Sequence, residues 1–245
     1  MILMGLLINL LFLVVLVVVV YLLYTYFTSK KAQLSSLQSG KKHITVAANK
    51  LPTNKASNNY AYSVWFYVNN WQYKLGEPKD LLTRGGSGLG ATTNPLITLA
   101  PYENNIQINI STYPTKTPST THTPAPEQTP GCTITNFPLQ KWVNLIISLN
   151  GRTLDVYIDG KLVRTCVLPS VAKVDASAPI NITDNGGFDG WTSNLQYFAT
   201  PLNPEQAYNI YKNGPGSGGI LRLFEKYKIK VAYLVDNKEQ GSIEI

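Results

Sequence analysis

The chain has 245 residues, 44% of them hydrophobic and 14% charged, and a formal net charge of +7. Two Cys and two His do not make a disulfide scaffold, and neither pair stands at zinc-finger spacing, which excludes a small zinc finger and a knottin. Fifteen Tyr, eighteen Gly and fifteen Pro against two Met favour strands and turns over a coiled coil or helical bundle.

Ile2 to Phe27 carries no charge and includes an unbroken apolar run, Leu10–Val20. As a helix it reaches about 39 Å, enough to span a hydrocarbon core of about 30 Å with tilt. Tyr21, Tyr24 and Tyr26 stand where aromatic rings favour the membrane–water interface, and Lys30 and Lys31 follow. A cleaved signal peptide fits less well, because there is no basic leader and no small-residue cleavage site. Residues 1–28 are therefore expected to be a transmembrane anchor, with the lipid bilayer as a partner. The lysines all lie after it, so the positive-inside rule places the C-terminal bulk in the cytoplasm. Under that topology the sequons at Asn109 and Asn181 stay unmodified, and Cys132 and Cys166 are thiols.

Lys30, Lys31, Lys41 and Lys42 hold four of the surplus positive charges. No other basic cluster exists to displace counterions from phosphates, so nucleic acid is not an expected partner. Residues 29–54 are polar and read as a stalk. From 55 to 215 the chain becomes a succession of short apolar runs. Ser63–Val68 is rich in β-branched and aromatic residues, Leu96–Leu99 is a second run, and Ile106–Ile110 alternates at period two. Within Ser63–Val68, Trp65 and Tyr67 share one face and Val64, Phe66 and Val68 the other, so both faces need cover. Gly85-Gly86-Ser87-Gly88 has no helix pattern after it and reads as a loop, not a phosphate cradle.

Residues 112–130, with Pro114, Pro118, Pro124, Pro126 and Pro130, cannot form a core and are expected as a surface insertion. His122 lies within it, without neighbouring ligand types. Trp142–Leu149, Leu154–Ile158 and Leu162–Val167 follow, joined by Asn150-Gly151 and Asp159-Gly160, the strongest short-range hairpin signals. This meander, without intervening helices, indicates an antiparallel sandwich. Trp142 and Trp191 are expected to anchor its core, since aromatic side chains dominate such interiors. Asn203, Pro204 and Glu205 read as the cap and first turn of a short helix. Residues 216–245 form a linker and a tail whose apolar stretch either adds a strand to a partner or folds back on the sandwich edge.

The run Lys141–Val163, with its Trp, apolar strand, Gly turn, Tyr-bearing strand and Asp-Gly-Lys close, resembles the central signature of laminin-G-like, concanavalin A-like jelly rolls. Tyr62–Val68 resembles the early strand of that family, and Gly187–Tyr211 its last core strand and closing helix. The resemblance implies an all-β fold, an antiparallel jelly-roll sandwich preceded here by one transmembrane helix. An anchor followed by a cytoplasm-facing jelly roll is similar to minor structural proteins of large DNA viruses with an internal membrane. That likeness implies a virion component that ties membrane to shell, with capsid proteins as partners.

The same superfamily includes glucanases, yet the E-x-D-x-(x)-E pattern of laminarinase-like members is absent. The carboxylate pairs Asp155/Asp159 and Asp184/Asp189 are better explained by turns, and His43 and His122 lie near neither cysteine in sequence. No catalytic residue is assigned and no enzyme is expected. Asp184, Asn185 and Asp189 offer oxygen donors for calcium, but read first as an Asx-turn corner, so no metal or cofactor is assigned. The expected function is a non-catalytic, membrane-anchored binding or scaffolding protein. Its rivals are an extracellular glycan-binding protein with oxidised cysteines and occupied sequons, and a glycan hydrolase.

Overall fold

The computed structural model describes Leu13 and residues 16–21, 34–53, 58–85, 92–114, 131–216, 230–235 and 238–244. The chain divides into two compact units, 32–216 and the pair of segments 1–31 and 217–245.

The larger unit is a sandwich of two antiparallel six-stranded sheets. Sheet A runs β1 (Gln38–Ser39), β12 (Asp189–Phe198), β3 (Tyr60–Asn70), β8 (Trp142–Asn150), β9 (Thr153–Ile158) and β10 (Lys161–Val167). Sheet B runs β2 (Ile44–Val46), β11 (Ile180–Ile182), β4 (Lys79–Gly85), β5 (Thr93–Leu99), β6 (Ile106–Asn109) and β7 (Gly131–Ile134). The expected meander is β8–β10. Asp159 and Gly160 both take positive φ in the tight turn between β9 and β10, while Gly151 alone does so between β8 and β9.

Alternation along β3 sorts its side chains as the strand period demands. Tyr60, Tyr62, Val64, Phe66 and Val68 enter the core between the sheets, against Leu82, Ile97, Leu99, Ile108 and Ile182 of sheet B. Ala61 and Trp65 point to the outer face of sheet A, where the helix α1 (Pro204–Lys212) covers them. There Ala61, Ile146, Tyr157, Leu202 and Ala207 form a second apolar cluster, and Tyr211 stacks on Trp65 with ring centroids 5.7 Å apart.

Helix α1 begins where the sequence places it. The Asn203 side chain accepts from the Gln206 amide at 2.8 Å, and the Gln206 side chain accepts from the Asn203 amide at 3.0 Å. Pro204 occupies the first turn, where no amide donor is needed. Replacing the cap, Asn203→Ala, is expected to destabilise the sandwich by about 1 kcal/mol in urea melts, with unchanged m-value.

Three expectations change. Residues 34–53, expected within the polar stalk, belong to the sandwich: β1 pairs with β12, β2 pairs with β11, and Val46 and Leu51 are buried. Strands of two or three residues leave too few positions for alternation to show. Cys132 of β7 and Cys166 of β10 are joined in a disulfide, not free thiols. Their strands are the edges of sheets B and A on the same side of the sandwich, so stacking brings the two Cα atoms to 6.1 Å. Trp142 and Trp191 lie on the outer face of sheet A and not in the core. Among the described tail residues, β13 (Lys230–Val235) pairs with β14 (Lys238–Glu244) in a two-stranded antiparallel sheet.

Most of the expected anchor and of the insertion, including His122, together with Gly86–Gly88 and residues 217–229, lie outside the described residues. Among the described residues Leu13 and 16–21 are helical with exposed side chains, and no described helix is long and apolar enough to cross a membrane.

Candidate functional site

Sheet A carries an aromatic row on its outer face, beyond the reach of α1. Trp191 of β12 is the cross-strand partner of Tyr67 on β3, which is in turn the partner of Trp142 on β8. The ring centroids are 5.5 Å apart for Tyr67–Trp191 and 5.8 Å for Tyr67–Trp142. Trp191 is 42% exposed, and Tyr67 and Trp142 are half-buried. Aromatic cross-strand pairs stabilise a sheet, but here they also leave indole and phenol surface facing outward.

Backbone geometry brings β12 close enough to make this row. Gly190 has φ +159°, and a Cβ there would stand 1.9 Å from the Tyr67 carbonyl oxygen. Only glycine allows that approach, which seats Trp191 beside Tyr67. On the other side of β12 runs β1, with Ser39 opposite Trp191, preceded by Leu37, which is 60% exposed.

The next row along the same face is polar. Trp65 pairs with Asn144 across β3 and β8, and Trp65 Nε1 and Asn144 Oδ1 are buried with no hydrogen-bond partner among the described residues. Such groups cost about 1–3 kcal/mol each. The Asn144 amide group does donate to Ser63 Oγ at 3.1 Å.

Charges around the row are paired, with the cations outermost. Lys41 Nζ lies 2.8 Å from Asp189, with side chains 47% and 23% exposed. Lys141 Nζ lies 3.3 Å from Asp159, with side chains 62% and 19% exposed. Lys42 is also exposed. The tucked carboxylates leave ammonium groups as the groups a partner meets first.

The carboxylates weighed from the sequence stand in structural roles. Asp155 accepts from Thr165 Oγ1 at 2.6 Å. Asp159 accepts from the Asn144 amide at 2.9 Å and holds the β9–β10 turn. Asp184 accepts from the Asn185 amide at 2.9 Å and lies 3.7 Å from His43, while Asp189 belongs to Lys41. Asn185 turns its amide group to Asp80 Oδ2 at 2.6 Å, and burial raises the Asp80 carboxyl above its ordinary range. Asp184, Asn185 and Asp189 therefore point to three different partners, and among the described residues no three His, Cys, Asp or Glu side chains gather as a metal set.

At the other end of the core, Arg84 is buried and makes no direct ion pair among the described residues. Its guanidinium donates to the Ala178 and Ala176 carbonyls, both at 3.2 Å, and to Tyr62 Oη at 3.3 Å. Tyr60 donates to Asn94. Burial pushes the Tyr60 and Tyr62 hydroxyls well above their usual range, so both stay neutral. This network satisfies itself and faces the interior. A groove of about 310 Å³ lies where β7 and β10 meet, lined by Thr133, Ile134, Phe137, Ile158, Val163 and Arg164.

The aromatic row was within reach of the sequence. Val143, Leu145, Ile147 and Leu149 claim the core face of β8, which leaves Trp142 on the face of Asn144 and Ser148. That parity outweighs the tendency of tryptophan to be buried.

The family model described as Laminin_G_3, concanavalin A-like lectin/glucanases superfamily, matches residues 38–207. The chain belongs to this superfamily. The match begins at β1, in agreement with the placement of residues 38–53 in the sandwich. Curated proteins give no match to the chain. Among solved structures, the receptor binding domain of botulinum neurotoxin C/D mosaic serotype is similar, with TM-score 0.54 and 14% identity over 73% of this chain and 42% of that one. The botulinum neurotoxin serotype D binding domain gives 0.53 and 14% over 73% and 42%. The receptor binding domain of botulinum neurotoxin D gives 0.51 and 15% over 72% and 43%. The chain spans about two-fifths of those structures, and at such identity the likeness shows the concanavalin A-like fold alone.

Proposed function

We propose that this superfamily member is a non-catalytic binding module, held at a membrane by its N-terminal apolar segment and contacting its partner through the outer face of sheet A. The observation that carries the reading is the exposed Trp191–Tyr67–Trp142 row, which α1 leaves open while it covers Ala61 and Trp65 on the same face. The uncharged stretch Ile2–Phe27 supports the anchor. The sandwich also fixes where its connections leave: the Leu34 amide donates to the Leu195 carbonyl at 2.7 Å, and Asn194 Nδ2 donates to the Gly214 carbonyl at 3.1 Å. Entry and exit are thus tied to adjacent residues of β12. The shell-tethering role expected from the sequence is the version of this reading in which the partner is a capsid protein; the lectin-like role is the version in which it is a glycan.

The engagement of Asp155, Asp159, Asp184 and Asp189 in turns and ion pairs supports the absence of catalysis. Incubation of the full chain with soluble β-glucans is expected to release no reducing ends. Turnover abolished by Asp184→Asn or Asp189→Asn would overturn the non-catalytic reading in favour of a glycan hydrolase.

The disulfide favours an oxidising compartment for the sandwich, against the cytoplasmic orientation that the lysine distribution suggests. Protein taken from its native cells under acid quench is expected to gain no maleimide-polyethylene glycol before reduction and two additions after it. Two additions without reductant would restore the cytoplasmic placement.

A further inference from the structure

We propose that Asn109 and Asn181 carry N-linked glycans, which makes the outer face of sheet B the sugar-bearing side of the sandwich. The inference rests on the oxidising-compartment reading above.

Three observations carry it. The first is pattern. The acceptor motif Asn-X-Ser/Thr stands twice within the same alternation, Ile108-Asn109-Ile110-Ser111 and Ile180-Asn181-Ile182-Thr183. All four isoleucines are fully buried and both asparagines partly exposed, as alternation requires when the asparagines face outward. The second is register. Asn181 pairs with Thr83, Thr83 with Leu96, and Leu96 with Asn109. Two sites far apart in sequence thus end one cross-strand row, three strand spacings or roughly 14 Å apart. The Asn181 carbonyl oxygen accepts from Thr45 Oγ1 at 2.9 Å, a contact that a sugar on the amide nitrogen leaves intact. Opposite Asn109 stands Gly131, where a Cβ would approach Asn109 Oδ1 to 3.2 Å. The third is compartment. Cys132, held in the bridge to Cys166, is the register partner of Ile108, next to Asn109. Structural disulfides persist in oxidising lumens, and Asn-X-Ser/Thr is modified in proteins that pass through them.

The hydroxyls of the two motifs fix the order of events. Ser111 and Thr183 are 1% and 0% exposed, and Thr183 Oγ1 donates to the Lys42 carbonyl at 2.6 Å. A transferase cannot reach them in the folded sandwich, so the sugar is added before folding. In that step the asparagine Nδ2 bonds to C1 of an oligosaccharide whose C1–O bond to a lipid diphosphate breaks. The lipid diphosphate leaves, and the proton lost by the amide passes to it or to solvent. Sugar on sheet B leaves the opposite face of the sandwich, the outer face of sheet A, open for the contact proposed above.

Full-length chain from its native cells would be treated with peptide-N-glycosidase in heavy-oxygen water, and a second portion with maleimide-polyethylene glycol before reduction. The expected result is a gain in electrophoretic mobility, heavy oxygen mapped to Asn109 and Asn181, and no maleimide addition. Asn109→Gln and Asn181→Gln should each remove one of two mobility steps, and the double variant both. Neither side chain enters the core, so the double variant should melt with the enzymatically deglycosylated parent. The heavy-oxygen map of the unsubstituted chain gives the answer even where a variant fails to fold. A bridged chain without the label at either site, or a mobility gain that survives in the double variant, would sink the glycan proposal and leave the compartment standing. Free thiols without label remove the compartment, and with it the glycan proposal.

Discussion

Replacing both cysteines, Cys132→Ser/Cys166→Ser, is expected to lower the stability of the sandwich by about 4 kcal/mol. The cross-link closes a loop with a sequence separation of 34, and the entropy removed from the unfolded chain by a loop of that size gives this magnitude. Its position argues for the full effect. β7 is a four-residue edge strand that pairs only with β6, and β10 is the opposite sheet's edge. Without the bridge, the two edges share little beyond Arg164, which donates to the Thr133 carbonyl at 2.6 Å. Calorimetry should show a melting point lower by about 10 °C for a domain of this size. Reductant should lower the parent to the same value and leave the variant unchanged. A variant melting with the parent would mean that the sheets' shared core, not the bridge, holds this side together.

Phe66→Ala is expected to cost about 4 kcal/mol, the other large effect. Phe66 is fully buried at the centre of β3, between Phe137 at 5.4 Å and Phe188 at 6.3 Å, both in edge-to-face contact. Truncation loses the transfer free energy of the ring and leaves a cavity that a close-packed interior fills poorly. The three rings come from β3, the segment before β8 and the corner before β12, so no single element can relax into the space. Equilibrium urea unfolding would measure it. Trp191→Ala, on the same sheet but facing outward, should change stability by only about 0.5 kcal/mol. If the two substitutions cost the same, Trp191 is a packing residue and the account of the row fails.

The sandwich was legible in the sequence wherever strands are long and turns are marked. Asn150-Gly151 and Asp159-Gly160 fixed the β8–β10 meander, the alternation of Ile106–Ile110 gave β6, and Asn203-Pro204 gave the start of α1. It was illegible where strands are short or their alternation is broken. Gln38–Ser39 contains no apolar residue at all. β4 carries buried Lys79 and Arg84 and a register shift between Asp80 and Leu82, which hides its period. Lys79 is tolerated because its ammonium lies 4.4 Å from the Trp71 ring centroid, a cation–π contact between residues eight apart that no local pattern announces. The bridge was misread for a different reason: the compartment was argued from lysines near the apolar segment, whereas the pairing of Cys132 with Cys166 follows from which strands end up at the sheet edges.

The contact face was half legible. Trp65 and Tyr67 were assigned correctly to one side of β3, and the need to cover that side is met by α1 over Trp65 but not over Tyr67. What the sequence could not supply was the register that lines up Trp191, Tyr67 and Trp142 across three strands. That alignment depends on Gly190 meeting the Tyr67 carbonyl, a tertiary contact between residues more than a hundred positions apart.

The most direct measurement is photo-cross-linking of the full chain in its native membranes, with p-benzoylphenylalanine replacing Trp191 and, in a second protein, Tyr102. Tyr102 is the more exposed of the two, at 73% against 42%, so accessibility alone favours it. The account predicts a chain retained in alkali-washed membranes, with the stronger adduct formed from position 191. A chain released by the wash, or an adduct from position 102 equal to or stronger than that from 191, would contradict it.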